Sequence, residues 1–182
     1  MPRNRRHVDP EKKRDAIVSA ARRLFLSEGY EGTGMAKIAA RAKIAPNTLY
    51  WYFEDKDALL LAVLDELVEE AMADYAVVRA EALDAQLLWL VARFDAVPGL
   101  IATVHARIDS SPSIRAWHER FHALVESVMV AQLEARGVPD AERAPAARIA
   151  SFVVEGLLSH HAPDPGERAR IASLLVSRVA RT

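Results

Sequence analysis

Residues 35–53, MAKIAARAKIAPNTLYWYF, constrain this chain more than any other segment. Two stretches of helical apolar spacing, about 35–42 and 46–53, are separated by a three-residue turn. Pro46 suits the first position of a helix, where no N–H partner is needed. Ile38 and Ala42 face inward on the first stretch, Ala39 is small where the two helices approach, and Ile44 plugs the core from the turn. On the second, Leu49 and Phe53 lie four apart and pack inward with Pro46. Asn47 and Trp51 point the opposite way, Thr48 and Tyr52 occupy one flank, and Tyr50 the other. Three consecutive aromatics on a helix cannot all face one core, so at least one is exposed or lies in an interface. Such a unit stands its second helix proud of the surface, where a DNA major groove accepts it. An amide, a hydroxyl and three aromatics with no carboxylate suit base edges, thymine methyls and phosphates.

The flanks extend the helical pattern. Ala16, Ile17, Ala20, Ala21, Leu24 and Phe25 recur at three- and four-residue steps. Asp9 before Pro10 starts that helix, and Gly29 supplies a left-handed end. Asp55 caps a fourth helix with the stripe Leu59, Leu60, Val63, Leu64, Leu67, Val68 and Ala71. Later breaks fall near Pro98-Gly99, Ser110-Ser111-Pro112, Gly137-Val138-Pro139 and Pro163-Asp164-Pro165-Gly166, with Pro145 in or near the start of one helix. Strand alternation is missing. The expectation is an all-α chain of roughly nine helices. A three-helix helix-turn-helix head (1–56) is joined by a long fourth helix, without a flexible linker, to a helical body (57–182). Movement in the body could then pass mechanically to the head.

Charge separates the same two regions. Residues 1–56 carry 12 Lys/Arg against seven acids, and all five lysines; the remainder carries 12 Arg against 18 acids. A basic head on an acidic body either meets a polyanion or is an ordinary solvated surface. Arg3, Arg5, Arg6 and His7 can enter a minor groove or form a basic tail that adds general affinity. Without cysteine, disulfides, thiolate metal sites and thiol catalysis are excluded. The basic N-terminus has no apolar stretch behind it, and runs such as Ala58–Leu64 are too short for a bilayer, so a cytoplasmic protein without membrane contact is expected.

The stretch YEGTGMAKIAARAKIAPNTLYWYFEDKDALLLAV resembles the signature of the TetR family of transcriptional regulators. The matching residues are Thr33, Ile38-Ala39, the turn Lys43-Ile44-Ala45, Thr48-Leu49-Tyr50-Trp51-Tyr52-Phe53 and Lys56, over about the first third of the chain. The resemblance implies that Thr48, Tyr50 and Lys56 bind phosphates, while Pro46, Asn47, Trp51 and Tyr52 line or read the groove. Two hydroxyls common in the family are absent, at Gly34 and Ala45. A missing hydroxyl cap costs about 0.5–2 kcal/mol with Ala and less with Gly. Thr33 can still approach a phosphate. Lys43 stands where the family usually has Gly, so it should adopt a backbone that Gly tolerates better, in exchange for a phosphate contact. The expected function is a ligand-responsive repressor holding a near-palindromic, double-stranded operator as a homodimer.

The resemblance weakens after about residue 75. Helix 144–161 and helix 167–181 have broad apolar faces that are either buried core or half of a four-helix dimer interface. Phe152, Val153, Gly156, Leu157, Ile171, Leu174 and Leu175 are the expected interface. Trp89, Phe94, His105, Trp117, Phe121, His122 and Met129 are candidate lining for a largely apolar or aromatic effector, and each is equally able to be plain core.

Residues 118–122, His-Glu-Arg-Phe-His, match the helical zinc-protease motif, in which two imidazoles one turn apart hold zinc beside a glutamate base. A real site needs a third protein ligand, for which Glu126 is geometrically possible. The competing reading is an amphipathic helix with Trp117, Phe121 and Leu124 inward and its histidines at the edge, and on it no metal, cofactor or enzymatic activity is expected. His160-His161 would interact with helix-terminal carbonyls. A zinc hydrolase on residues 118–122 and a helical interaction module without DNA binding are the rival functions.

Overall fold

The computed structural model describes residues 9–159 and 164–179, without the side chains of Ser159 and Val179. The basic arm Arg3, Arg5, Arg6 and His7, and His160-His161, lie outside the described residues. Among the described residues the chain is all-helical, with nine helices: α1 (Pro10–Glu28), α2 (Met35–Arg41), α3 (Pro46–Tyr52), α4 (Lys56–Val78), α5 (Leu83–Asp95), α6 (Pro98–Arg107), α7 (Pro112–Glu134), α8 (Asp140–Ser159) and α9 (Pro165–Val179). The described residues form two compact units that divide inside α4, between Val68 and Glu69. The boundary expected from sequence, at the start of α4, falls about a dozen residues before this division.

In the first unit α1 begins as its sequence dictates. Asp9 accepts from the Glu11 N–H at 3.0 Å, Pro10 fills the first turn, and Gly29 ends the helix with φ 76°. Ile17, Val18, Ala20, Ala21, Leu24 and Phe25 form its buried face; Ala16, expected among them, is exposed. Ile38 and Ala39 of α2, Leu49 of α3, Phe53, and Leu59, Leu60 and Val63 of α4 are likewise buried within this unit. Burial of each large aliphatic side chain contributes about 1.5–3 kcal/mol. Asp55 caps α4 by accepting from the Ala58 N–H at 2.7 Å.

The second unit is built on α5, which packs on α8 and α9 through Leu87, Val91, Ala150, Val154, Leu157 and Ala172. A neighbouring cluster, Leu83, Leu133, Val138 and Ala146, ties in the end of α7. The corner between α4 and α5, residues 79–82, contains neither proline nor glycine. It is held by Gln86, which is buried. The Gln86 amide nitrogen lies 3.1 Å from the Arg79 carbonyl and 2.9 Å from that of Glu81, and its oxygen accepts from the Tyr75 hydroxyl at 2.7 Å. Arg136, from beyond α7, also donates to the Glu81 carbonyl at 3.0 Å. Helix-terminal carbonyls that would otherwise be orphaned therefore find partners distant in sequence. Pro145 lies within the second turn of α8. Among the described residues no single helix is long and apolar enough to cross a membrane.

Candidate functional site

The turn between α2 and α3 is a Schellman end. The Ile44 N–H donates to the Ala39 carbonyl at 3.0 Å, and the Lys43 N–H to that of Ala40 at 3.1 Å. The motif requires a left-handed residue at the position that Lys43 holds, and Lys43 has φ 57°. Its strain comes from a Cβ where glycine would have none. The side chain is exposed on the turn, and Ile44 is half-buried beneath it. Neither Gly34 nor Ala45 provides a side-chain cap for the helix it precedes. Pro46 then opens α3.

The helix so positioned has two sharply different sides. Leu49 and Phe53 are buried, whereas Trp51 is 90% and Tyr50 55% exposed. Pro46 and Asn47 are exposed, and Thr48 and Tyr52 half-buried on the flank. α3 carries no acidic residue. A tryptophan held almost entirely in water beside an exposed tyrosine presents a large apolar and stacking surface that packing within the chain leaves unused.

Two expected contact residues are engaged internally. Thr33, expected from sequence at a phosphate, is fully buried, and its hydroxyl donates to the Gly29 carbonyl at 2.8 Å. This corrects the expectation: the hydroxyl stitches the loop after α1 instead of facing outward. Lys56 is half-buried; its Nζ donates to the Tyr30 carbonyl at 2.9 Å and sits 3.9 Å from the Tyr30 ring centre. The Tyr30 hydroxyl in turn donates to the Asp57 carboxylate. Sequence reasoning misses Tyr30 because a lone aromatic just past a helix end belongs to no apolar period. Lys37 pairs with Glu28, and Arg14 lies over the Phe53 ring at 5.4 Å. Lys43 and Arg41 stay exposed near α3.

A profile of "Bacterial regulatory proteins, tetR family" matches residues 17–63, the whole of this arrangement from mid-α1 into α4. Over these residues the chain carries the N-terminal segment of the TetR family. Among its relatives, the HTH-type transcriptional regulator HbdR of Aromatoleum sp. (strain CIB) is 39% identical over 59 residues, which is 32% of this chain and 26% of that one. The chain thus matches about a quarter of that regulator's length. The regulator LmrA of Bacillus subtilis is 27% identical over 92% of this chain and 97% of its own. The TetR fold extends through the body: a transcriptional regulator from Saccharomonospora viridis, solved in complex with choline, superposes with a TM-score of 0.68. That superposition covers 92% of this chain and 96% of that one at 18% identity. Members of that family are helix-turn-helix, DNA-binding transcriptional regulators, and the matched residues contain the α2–α3 unit.

In the helical body, ring contacts join five of the seven candidate effector residues through His118. Trp117 stacks on Phe121 (5.3 Å between centres), and Phe121 meets Phe94 edge-on (5.7 Å) and His122 (5.9 Å). His122 contacts His118 at 4.3 Å, and His118 contacts His105 at 5.4 Å. Trp89 lies apart, against Tyr75 and Arg93, and Met129 packs against the α5–α8–α9 core. A small apolar crevice is lined by Leu87, Val91, Val153, Val154, Leu157 and Leu175, and none of the seven candidates lines it.

The expected interface residues also separate. Phe152 and Leu174 are about two-thirds exposed, with Ile149 half exposed one turn before Phe152. Val153, Gly156, Ile171 and Leu175 are half-buried. Leu157 is instead buried in the chain's own core. The correction has a plain cause: α8 is apolar on most of its circumference, so period alone does not tell its inner face from its outer one.

On α7 Trp117 is buried, and Phe121, Leu124, His118 and His122 are half-buried, in line with the amphipathic expectation. Glu126 ion-pairs with Arg148 at 3.7 Å and joins neither histidine. His122 reaches α8, with Nδ1 3.1 Å from Ser151 Oγ and Nε2 2.9 Å from Glu155 Oε1. Burial, with the neighbouring His122 and His105, holds the His118 pKa below its ordinary value against the opposing pull of Glu155 and Glu119.

Proposed function

We propose that this protein is a repressor that holds a near-palindromic operator as a homodimer and releases it when a small molecule binds the helical body. The observation that carries the reading is the outer face of α3, where Trp51 and Tyr50 stand in water beside Asn47 on a helix without a carboxylate. In a major groove this face offers an amide to base edges and aromatic surface to thymine methyls. Lys43 and the flanking Thr48 and Tyr52 supply phosphate and groove contacts, and Pro46 lines the groove. Lys56 reaches a phosphate through N–H bonds that Tyr30 does not use. Residues 1–56 form the DNA-binding part and residues 57–182 the effector and dimer part, in a cytoplasmic protein.

A single head reads one half-site, so a two-fold operator calls for two heads. Ile149, Phe152 and Gly156 follow one stripe of α8, and Leu174 stands on α9. Such apolar surface supports an isologous contact between copies. The effector reading draws support from two structural neighbours, the Saccharomonospora viridis regulator in complex with choline and the multidrug binding protein EbrR complexed with imidazole. A ligand shifts the operator-bound population only by its differential affinity for the two states.

The test combines light scattering with operator binding for a Phe152→Asp, Leu174→Asp variant. Wild-type protein should have the mass of two chains. The variant should be monomeric, with operator affinity lowered at least ~100-fold through lost bivalency. A wild-type monomer that binds its operator tightly would end the homodimer reading.

A further inference from the structure

We propose that His105 of α6, His118 and His122 of α7, and Glu155 of α8 form a closed binding site for a divalent transition cation of the zinc type. Three of the donor atoms already form a compact triangle. His118 Nε2 lies 3.0 Å from His122 Nε2, His122 Nε2 lies 2.9 Å from Glu155 Oε1, and the third side is 3.8 Å. Tetrahedral zinc, with bonds of about 2.0–2.1 Å, holds its ligand atoms about 3.3 Å apart. One donor atom each from His105, His118 and Glu155 also fall within 4.8 Å of one another. A fourth ligand is therefore within a side-chain rotation of the same point.

The chemistry of the cluster asks for a cation. A neutral imidazole carries a single N–H, yet His122 has both ring nitrogens against polar atoms, and its Nε2 lies within hydrogen-bond distance of both His118 Nε2 and Glu155 Oε1. An ion at the centre of the triangle takes the lone pairs of both Nε2 atoms and of the carboxylate together. His122 Nδ1–H then donates to Ser151 Oγ, which is buried and fixes the tautomer that leaves Nε2 free for metal. Imidazole with one carboxylate suits zinc and its neighbours. The all-oxygen preference of calcium and magnesium and the thiolate preference of copper(I) are unmet. The side chains of His118 and Glu155 are 20% and 34% exposed, which leaves the ion a path from solvent.

Four protein ligands close a tetrahedral ion, whereas a hydrolytic zinc keeps one position for water. The site accordingly uses the two histidines of the protease-like motif without its glutamate, and Glu119 is exposed. A bound ion would tie α6, α7 and α8 at one point. The site does not depend on the DNA-binding reading.

The experiment is zinc titration of chelator-stripped, full-length protein by competition with a chromogenic chelator, followed by cobalt substitution. Wild type should take up one ion per chain and give the intense visible spectrum of four-coordinate cobalt. His118→Ala and Glu155→Gln should each weaken binding at least ~100-fold, Ser151→Ala about 10–100-fold, and Glu119→Gln less than about twofold. Zinc should also raise the wild-type melting temperature in a concentration-dependent way, a readout that needs no variant to fold. Failure of wild type to take up one zinc ion, a weak six-coordinate cobalt spectrum, or undiminished wild-type affinity in either His118→Ala or Glu155→Gln would each overturn the proposal.

Discussion

Replacing Lys43 by glycine separates two consequences of one residue. Lys43 holds φ 57° at the left-handed position of the Schellman turn, where an L side chain costs about 1–2 kcal/mol. Glycine removes that cost but adds about 0.4–1 kcal/mol of unfolded-state entropy. The turn's hydrogen bonds run through the backbone, from Lys43 N–H to Ala40 and from Ile44 N–H to Ala39, and survive the change. Lys43→Gly should therefore stabilise the protein by about 0.5–1 kcal/mol. For a chain of this size that raises Tm by about 1–4 °C. Lys43→Ala keeps the Cβ and should give no such gain.

The same two variants test the phosphate contact, because both remove the ammonium. A lost phosphate contact lowers the slope of log affinity against log salt by about 0.9. Between 50 and 200 mM salt that is a change of about 3.5-fold in relative affinity. Circular dichroism melts and fluorescence anisotropy with a labelled operator duplex give both numbers. A glycine variant less stable than wild type, or an alanine variant that matches it, would refute the strain. An unchanged salt slope in both would remove Lys43 from the phosphate set.

Two further substitutions probe contacts that only the structure exposes. Lys56→Met loses the bond to the Tyr30 carbonyl and the ammonium above its ring, and should cost about 1–2 kcal/mol in urea unfolding without DNA; unchanged stability would mean that Lys56 serves DNA alone. Gln86→Leu strips the α4–α5 corner of its partners, and should cost about 1–3 kcal/mol from buried groups left unpaired; a neutral result would show that water replaces the amide.

The head was the more legible half of the sequence, because local rules decide it. Asp9-Pro10, Gly29, Asp55 and the three-residue turn each carry their geometry in one or two residues, and even the strained Lys43 follows from where glycine would belong. The faces of α3 follow from Leu49 and Phe53 four apart. Thr33 was misplaced because a threonine beside a helix start is equally able to donate inward, and only the neighbouring Gly29 carbonyl decides. The body depends on partners far apart in sequence. Gln86 stabilises a corner that lacks proline and glycine, Leu157 turns inward on a helix with broad apolar surface, and Glu155 comes from α8 to meet His118 and His122. The motif at 118–122 shows only two histidines on one helix and makes Glu126 the nearest carboxylate in register, whereas the carboxylate beside His122 is Glu155 of another helix.

The most direct test of the central claim is selection of binding sites from random duplexes by full-length wild-type protein and by Trp51→Ala. Wild type should enrich one near-palindrome whose half-sites are centred one helical turn, about 10–10.5 base pairs, or a multiple of it apart. Trp51→Ala should fold but lose enrichment at the positions α3 reads, while keeping its salt-dependent non-specific binding. Failure of wild type to enrich any duplex, or the same site enriched equally by Trp51→Ala, would contradict the assignment of α3 as the reading surface.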